Sequence, residues 1–187
     1  MIKKIKYHKD KRKYFKVQRQ VGIDVFEKSN GYIVDFSKDF IVLHETDDFE
    51  LNGYVVFPIK TISKIQFNNK DKYYDKIMHL EGLTDKVENK HKIDLTSWTS
   101  IFKSIKGLDL NVVIENEDPN DKSFDIGPIT KVTKKSVYIR YFDSQGYFDK
   151  EPTKISFDFI TRVKFDERYT NVISKYLRER KSRTTKK

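Results

Sequence analysis

The chain has 187 residues, with 38 Lys and Arg against 28 Asp and Glu, and it contains no cysteine. That composition excludes a disulfide framework and thiolate chemistry, and no apolar run approaches the roughly 18 residues that a membrane-spanning helix needs. Hydrophobic residues make up only 37%, but 11 Tyr and 14 Phe bury a large area per side chain, so cores are within reach.

The net charge of +10 is unevenly spread. Residues 1–20 carry nine Lys and Arg against Asp10 alone, and residues 175–187 carry seven against Glu179 alone. The intervening 21–174 hold 22 basic and 26 acidic residues. The basicity therefore sits at the two ends, where it suits an anionic partner or simple solubility.

In chain order, the basic N-terminus lacks a following apolar stretch, so it does not read as a secretory signal. Tyr14 and Phe15 lead into a first strand. Asn30-Gly31 and Asn52-Gly53 are hairpin-type dipeptides, since both residue types tolerate positive φ. Between them, Gly31 to Phe36 and Phe40 to Leu43 read as strands around a turn at Ser37-Lys38-Asp39. Tyr73, Ile77 and Leu80 form an apolar stripe for a helix over 71–81, stopped by Gly82. The polar stretch 83–94 reads as a connection. Trp98, Ile101, Phe102 and Ile105 share one face of a helix over 97–106, capped by Thr96 or Ser97 and stopped by Gly107. Strands follow at 108–115, 124–132, 137–143, 153–158 and 162–166, with a tight turn at Phe159-Ile160-Thr161. Ile139 and Phe165 lie on the apolar sides of two of them, which predicts core positions. Asp166 is placed to cap a last helix over 167–180, whose stripe is Tyr169, Val172, Ile173, Tyr176 and Leu177. Residues 181–187 read as a soluble, frayed end.

An internal repeat organises these elements. Gly31 to Leu43 matches Gly127 to Tyr141, strand for strand, at an offset of 96 residues. Further on, Ile59-x-x-Ile62-x-x-Ile65-x-Phe67 matches Phe157-x-x-Ile160-x-x-Val163-x-Phe165 at an offset of 98. Tyr73 and Tyr169 follow in turn. The expected fold class is β-rich α+β, built as a first unit at 1–82, a connection at 83–94 and a second unit at 95–187.

The order helix 97–106, four strands, a tight turn and a final strand resembles the Sm-like small barrels and the wider group of SH3-type barrels. The first unit is similar from about Phe15 to Phe67, but without a clear leading helix. The resemblance implies two tandem antiparallel barrels, each a bent sheet closed on itself. Sm-like proteins that bind RNA carry a short Asp-Gly or Asn-Gly turn and a basic or glycine motif near their last strands. Gln66-Phe67-Asn68 and Lys164-Phe165-Asp166 stand there instead.

Chemical motifs are absent. His8, His44, His79 and His91 form no ligand pair. His44-Glu45 reads as a solvated strand end, and Asp118-Pro119-Asn120-Asp121 reads as a hairpin turn rather than a cation loop. There is no nucleophile elbow and no phosphate-binding glycine loop. The expectation is a non-enzymatic binding or adaptor module in the cytoplasm, without cofactor, whose partner is a protein or a second copy of itself. The alternative is an RNA- or DNA-binding protein using its basic ends; an enzyme of unrecognised type is a further alternative. For nucleic acid, the candidate contacts are Lys3, Lys4, Lys6, Lys9, Lys11, Arg12, Lys13, Arg178, Arg180, Lys181 and Arg183, because cations there alternate with aromatic residues able to stack on bases.

Overall fold

In the computed structural model, which describes residues 1–180, the chain forms an α+β, strand-rich fold. Helix α1 (Ile2–Asp10) is followed by strands β1 (Phe15–Gly22), β2 (Val25–Phe36), β3 (Phe40–Asp47) and β4 (Glu50–Pro58). A 3-10 turn (Ile59–Thr61) leads to β5 (Ile62–Gln66) and α2 (Asn69–Leu80). The second half repeats the series: α3 (Trp98–Lys106), β6 (Asn111–Asn116), β7 (Ser123–Val132), β8 (Ser136–Ile139), β9 (Thr153–Ser156), a 3-10 turn (Phe157–Phe159), β10 (Arg162–Phe165) and α4 (Arg168–Ile173).

The strands lie in the order β5-β1-β2-β3-β4-β10-β6-β7-β8-β9, so each half has the same neighbour order. The registers agree in detail. Ile41 stands opposite Phe57 as Val137 stands opposite Ile155, and Phe15 faces Gly31 as Val112 faces Gly127. Register slips fall at Val34 and at Thr130, again equivalent places. Gly31 and Gly127 have φ of 151° and 154°, and a Cβ there would lie 2.2 Å from the His44 carbonyl oxygen and 2.1 Å from that of Arg140. Each glycine lets its bent strand touch a neighbouring carbonyl.

The sheet does not resolve into two closed barrels. Among the described residues it is one antiparallel sheet of ten strands that does not close, and β4 pairs along its outer edge with β10 of the other half. A single apolar cluster follows the same logic, joining Tyr32, Val42, Tyr54 and Met78 to Ile101, Phe102, Val137, Ile139 and Phe165. The stretch expected only to connect the halves supplies Val87 and Ile93 to that cluster. Its few apolar residues are hidden among charges, which is why it reads as linker. Ile139 and Phe165 are fully buried, as their strand alternation predicts.

Other elements differ from the sequence reading. The first half does have a leading helix: α1 buries Ile5 and His8 while showing Lys to solvent, and its low apolar content conceals it. Neither Asn-Gly pair makes a turn, since both lie inside strands; the hairpin between β3 and β4 turns at Asp48 and Phe49, with φ of 40° and 62°. Helix α2 buries Asp71, Asp75 and Met78 and leaves Tyr73 and Leu80 exposed. The buried carboxylates are matched by donors, which makes that polar face the inner one. The last helix stops at Ile173 instead of running to 180, and Glu167 caps it, not Asp166. After a 3-10 turn (Ser174–Tyr176) the chain extends, and Tyr147 and Arg178 form a parallel bridge. Thr170 alone is buried in α4; Tyr169, Val172 and Tyr176 are exposed.

Candidate nucleic-acid interface

The turn that ends α1 brings cations together. Arg12 takes a left-handed φ of 45°, and the Lys13 amide donates to the His8 carbonyl at 2.9 Å. The chain then meets α2, whose start is set by a capping box: the Asn68 side chain accepts from the Asp71 amide, and the Asp71 carboxylate accepts from the Asn68 amide at 2.9 Å. Asp75, almost fully buried, ties the two together. Its Oδ1 accepts from the Tyr14 amide at 3.0 Å and from the Tyr32 hydroxyl at 3.2 Å, and its Oδ2 lies 3.2 Å from Lys13 Nζ. Lys16 stands 3.6 Å from Asp71. Burial first, then the neighbouring Asp75, pushes the Tyr32 hydroxyl far above its usual value, and burial with Tyr74 does the same to Tyr14. Both phenols stay neutral, and Tyr32 donates to Asp75.

Between the turn and the helix lies a cleft of about 550 Å³, lined by Lys11, Arg12 and Lys13 on one side and Lys72, Lys76 and His79 on the other. Lys72, Lys76 and His79 are spaced by four and three residues, so they share a helix face. Phe67 forms part of the wall, and Asp85 is an acid at the rim in addition to the paired Asp75. Among the described residues, Lys11, Arg12, Lys72 and Lys76 have no carboxylate within ion-pair distance. Among the described residues, four cations without carboxylate partners thus face one cleft between two elements that Asp75 joins.

The eleven candidate contacts are thus dispersed. Lys11, Arg12 and Lys13 line the cleft. Lys3 and Lys4 line a neighbouring groove with Tyr7 and Ile65, meeting the cleft at Phe67. Lys6 pairs with Asp10 at 2.6 Å and Lys9 with Asp35 at 3.0 Å. The C-terminal cations do not join them. Arg178 lies over the Tyr147 ring, 4.1 Å from its centroid, and Arg180 reaches Asp143 at 2.8 Å. They fasten residues 177–180 to the loop after β8. Lys181 and Arg183 lie outside the described residues. Lys72, Lys76 and His79 escaped sequence reading because the apolar stripe of Tyr73, Ile77 and Leu80 drew attention to another face of the helix.

The remaining candidates are structural. His44 is no solvated strand end: it is buried and stacks on Tyr54 with centroids 4.7 Å apart, and among the described residues its Nδ1 has no hydrogen-bond partner. Burial pushes its imidazole below the usual value. His91 Nε2 lies 2.6 Å from Asp166, which also meets Lys90 at 3.0 Å. The Asp118–Asp121 segment does turn, with the Asp121 amide donating to the Asp118 carbonyl at 3.0 Å. Among the described residues no group of three His, Asp or Glu is arranged to hold a metal ion, and no helix is long and apolar enough to cross a membrane. No protein-family model, no curated protein and no solved structure matches the chain.

Proposed function

We propose that this protein is a non-enzymatic binding module that grips the phosphate backbone of nucleic acid in the cleft between the α1–β1 turn and α2. The observation that carries the reading is the convergence there of Lys11, Arg12, Lys72 and Lys76 without acidic partners. A cation left unpaired on a rigid frame gains most from phosphate, since binding releases counterions from the polyanion. Exposed Tyr7 and Tyr73 lie on the two helices that border the cleft and its neighbouring groove, and stacking on such rings favours unpaired bases over duplex. We further read the two halves as diverged copies of one Sm-like or SH3-type unit, on the strength of their common strand order and matched registers. A cytoplasmic setting belongs to the same proposal and rests on the cysteine-free composition.

The test is fluorescence anisotropy of a labelled single strand, RNA and DNA in parallel, across a salt series. Binding is expected at low ionic strength, with a slope of about −0.7 in log affinity against log salt per phosphate contact. Lys72→Glu with Lys76→Glu is expected to abolish it, while Arg178→Ser with Arg180→Ser leaves it intact. Absence of salt-dependent binding by the intact protein, or indifference to the α2 substitutions, overturns the reading and leaves the protein-adaptor function.

A further inference from the structure

The internal junction between the halves has a socket. Arg19 on β1 is fully buried; its Nε donates to Ser29 Oγ on β2 at 2.9 Å, and its guanidinium lies 5.0 Å from the centroid of the Phe57 ring on β4. The second half fills this socket. Glu117 Oε1 accepts from Arg19 Nη2 at 2.8 Å, and the Thr161 carbonyl accepts from Nη1 at 3.4 Å. Beside it, Val163 and Lys164 of β10 stand opposite Val56 and Val55 of β4.

The repeat supplies a second socket that none of the described residues fills. By strand register, the counterparts of Arg19, Ser29 and Phe57 are Asn116, Asp125 and Ile155. These three line an open groove of about 290 Å³ along β9, with Asp121 and the exposed Phe159 at its rim. Among the described residues, strand β9 has no neighbour on that side, and at the far end of the sheet β5 has none either. The counterparts of the filling residues Glu117, Thr161 and Arg162 are Gln20, Ser63 and Lys64, all exposed.

We propose that the groove along β9 receives the β5 edge of a second copy of this chain, head to tail, repeating the internal β4–β10 junction. The register places Ile65 and Gln66 of the incoming copy opposite Lys154 and Thr153. It turns Ser63 and Lys64 toward a socket that carries Asp121 at its rim and Asp125 where the first half has neutral Ser29. The charge has changed hands: inside the chain a buried arginine receives a glutamate, and outside an acidic socket receives a lysine. Pro152 stands at the place of Tyr54 and lacks an N–H, so the outer pairing is shorter than the inner one. The association is therefore weaker than the covalently linked junction, and salt screens it. The interface is heterologous, so it either closes into a ring or runs on as a filament.

Sedimentation velocity over a concentration series tests this. The intact chain is expected to rise above its 22.4 kDa monomer mass as concentration increases, and to fall back toward it in high salt. Two blocked variants use exposed positions only: Asp121→Lys with Phe159→Lys closes the socket, and Ser63→Glu with Lys64→Glu spoils the edge. Each alone is expected to remain a monomer with an unchanged melting temperature. Mixed in equal amounts, they retain one good socket and one good edge, and a single 1:1 dimer is expected. A wild-type chain that stays monomeric throughout overturns the proposal, as does association that survives in either variant alone, or a mixture that does not pair. Neither variant alters the cleft of Lys72 and Lys76, so nucleic-acid binding reports independently.

Discussion

Arg19 and Glu117 meet at 2.8 Å across the junction of the two halves, the arginine side chain with no exposed surface and the glutamate with 9%. A charge so enclosed is costly unless paired, and here the pairing is thorough. Arg19 also donates to Ser29, and Glu117 also lies 3.3 Å from Arg162 Nε and accepts from the Thr161 hydroxyl at 2.7 Å. The pair fixes how the halves meet more than how tightly they fold, since an apolar pair of similar size packs about as well.

Removing one partner is therefore expected to cost more than removing both. Glu117→Leu leaves a buried guanidinium without its carboxylate and is expected to lose about 3–5 kcal/mol of stability. Arg19→Met combined with Glu117→Leu is expected to recover most of that loss in chemical denaturation. A double variant as unstable as the sum of the single ones contradicts this account.

The same carboxylate predicts an acid dependence. Burial alone would raise the Glu117 carboxyl, but the hydrogen bond and charge of Arg19, with Arg162 and Thr161, outweigh it and hold the group below the usual 4.5. A carboxylate depressed by folding stabilises fully above its unfolded value and loses that contribution as pH falls through the folded one. Melting temperature measured from pH 6 downward is expected to drop more steeply for the wild type than for the Arg19→Met, Glu117→Leu variant, with the difference appearing below about pH 4.5.

His44 produces a second slope at higher pH. Burial lowers its imidazole from the usual 6.5, so the folded state binds its proton less readily than the unfolded chain does. Stability is lost as pH falls below the unfolded value toward the folded one. His44→Phe keeps the stack on Tyr54 and removes the unpartnered Nδ1. It is expected to reduce the slope of the stability profile between pH 7 and 5; the slope that remains belongs to His8, whose imidazole burial also lowers.

The repeated glycines offer a symmetrical test. Gly31→Ala and Gly127→Ala drive a Cβ into the carbonyl oxygen of His44 on β3 and of Arg140 just after β8, at a backbone φ that disfavours side chains. Each is expected to destabilise by more than about 1 kcal/mol, beyond the usual gain from stiffening the unfolded chain. Equal losses support their equivalence in the two halves; a neutral result at either position contradicts the close approach.

Helix α2 separates burial from hydrophobicity. Tyr73→Ala and Leu80→Ala are expected to stay within about 0.5 kcal/mol of wild type, as exposed sites do. Ile139→Ala, in the shared core, is expected to cost about 2–5 kcal/mol. Thermal or urea unfolding of the three variants reads both at once.

By itself the sequence determined the strand series of the second half, the matching spacing of the two halves, and inward residues such as Ile139 and Phe165. Alternation of period two along β8 and β10 marks Ile139 and Phe165 as inward, whatever the strands later pair with. Helix α3 was equally plain, since Ser97 caps an apolar face of period 3.6. Tertiary structure alone decided the rest. That β4 pairs with β10, joining the halves in one open sheet, depends on which edges meet, and edge pairing leaves no local pattern in the chain. The buried face of α2 was set by Asp71 and Asp75: Asp75 is buried against donors from distant Tyr14, Tyr32 and Lys13, and Asp71 against the Asn68 amide and Lys16. For the same reason the basic cleft was half visible: Lys11, Arg12 and Lys13 stand together in sequence, but Lys72 and Lys76 join them only because Asp75 binds the helix to the turn.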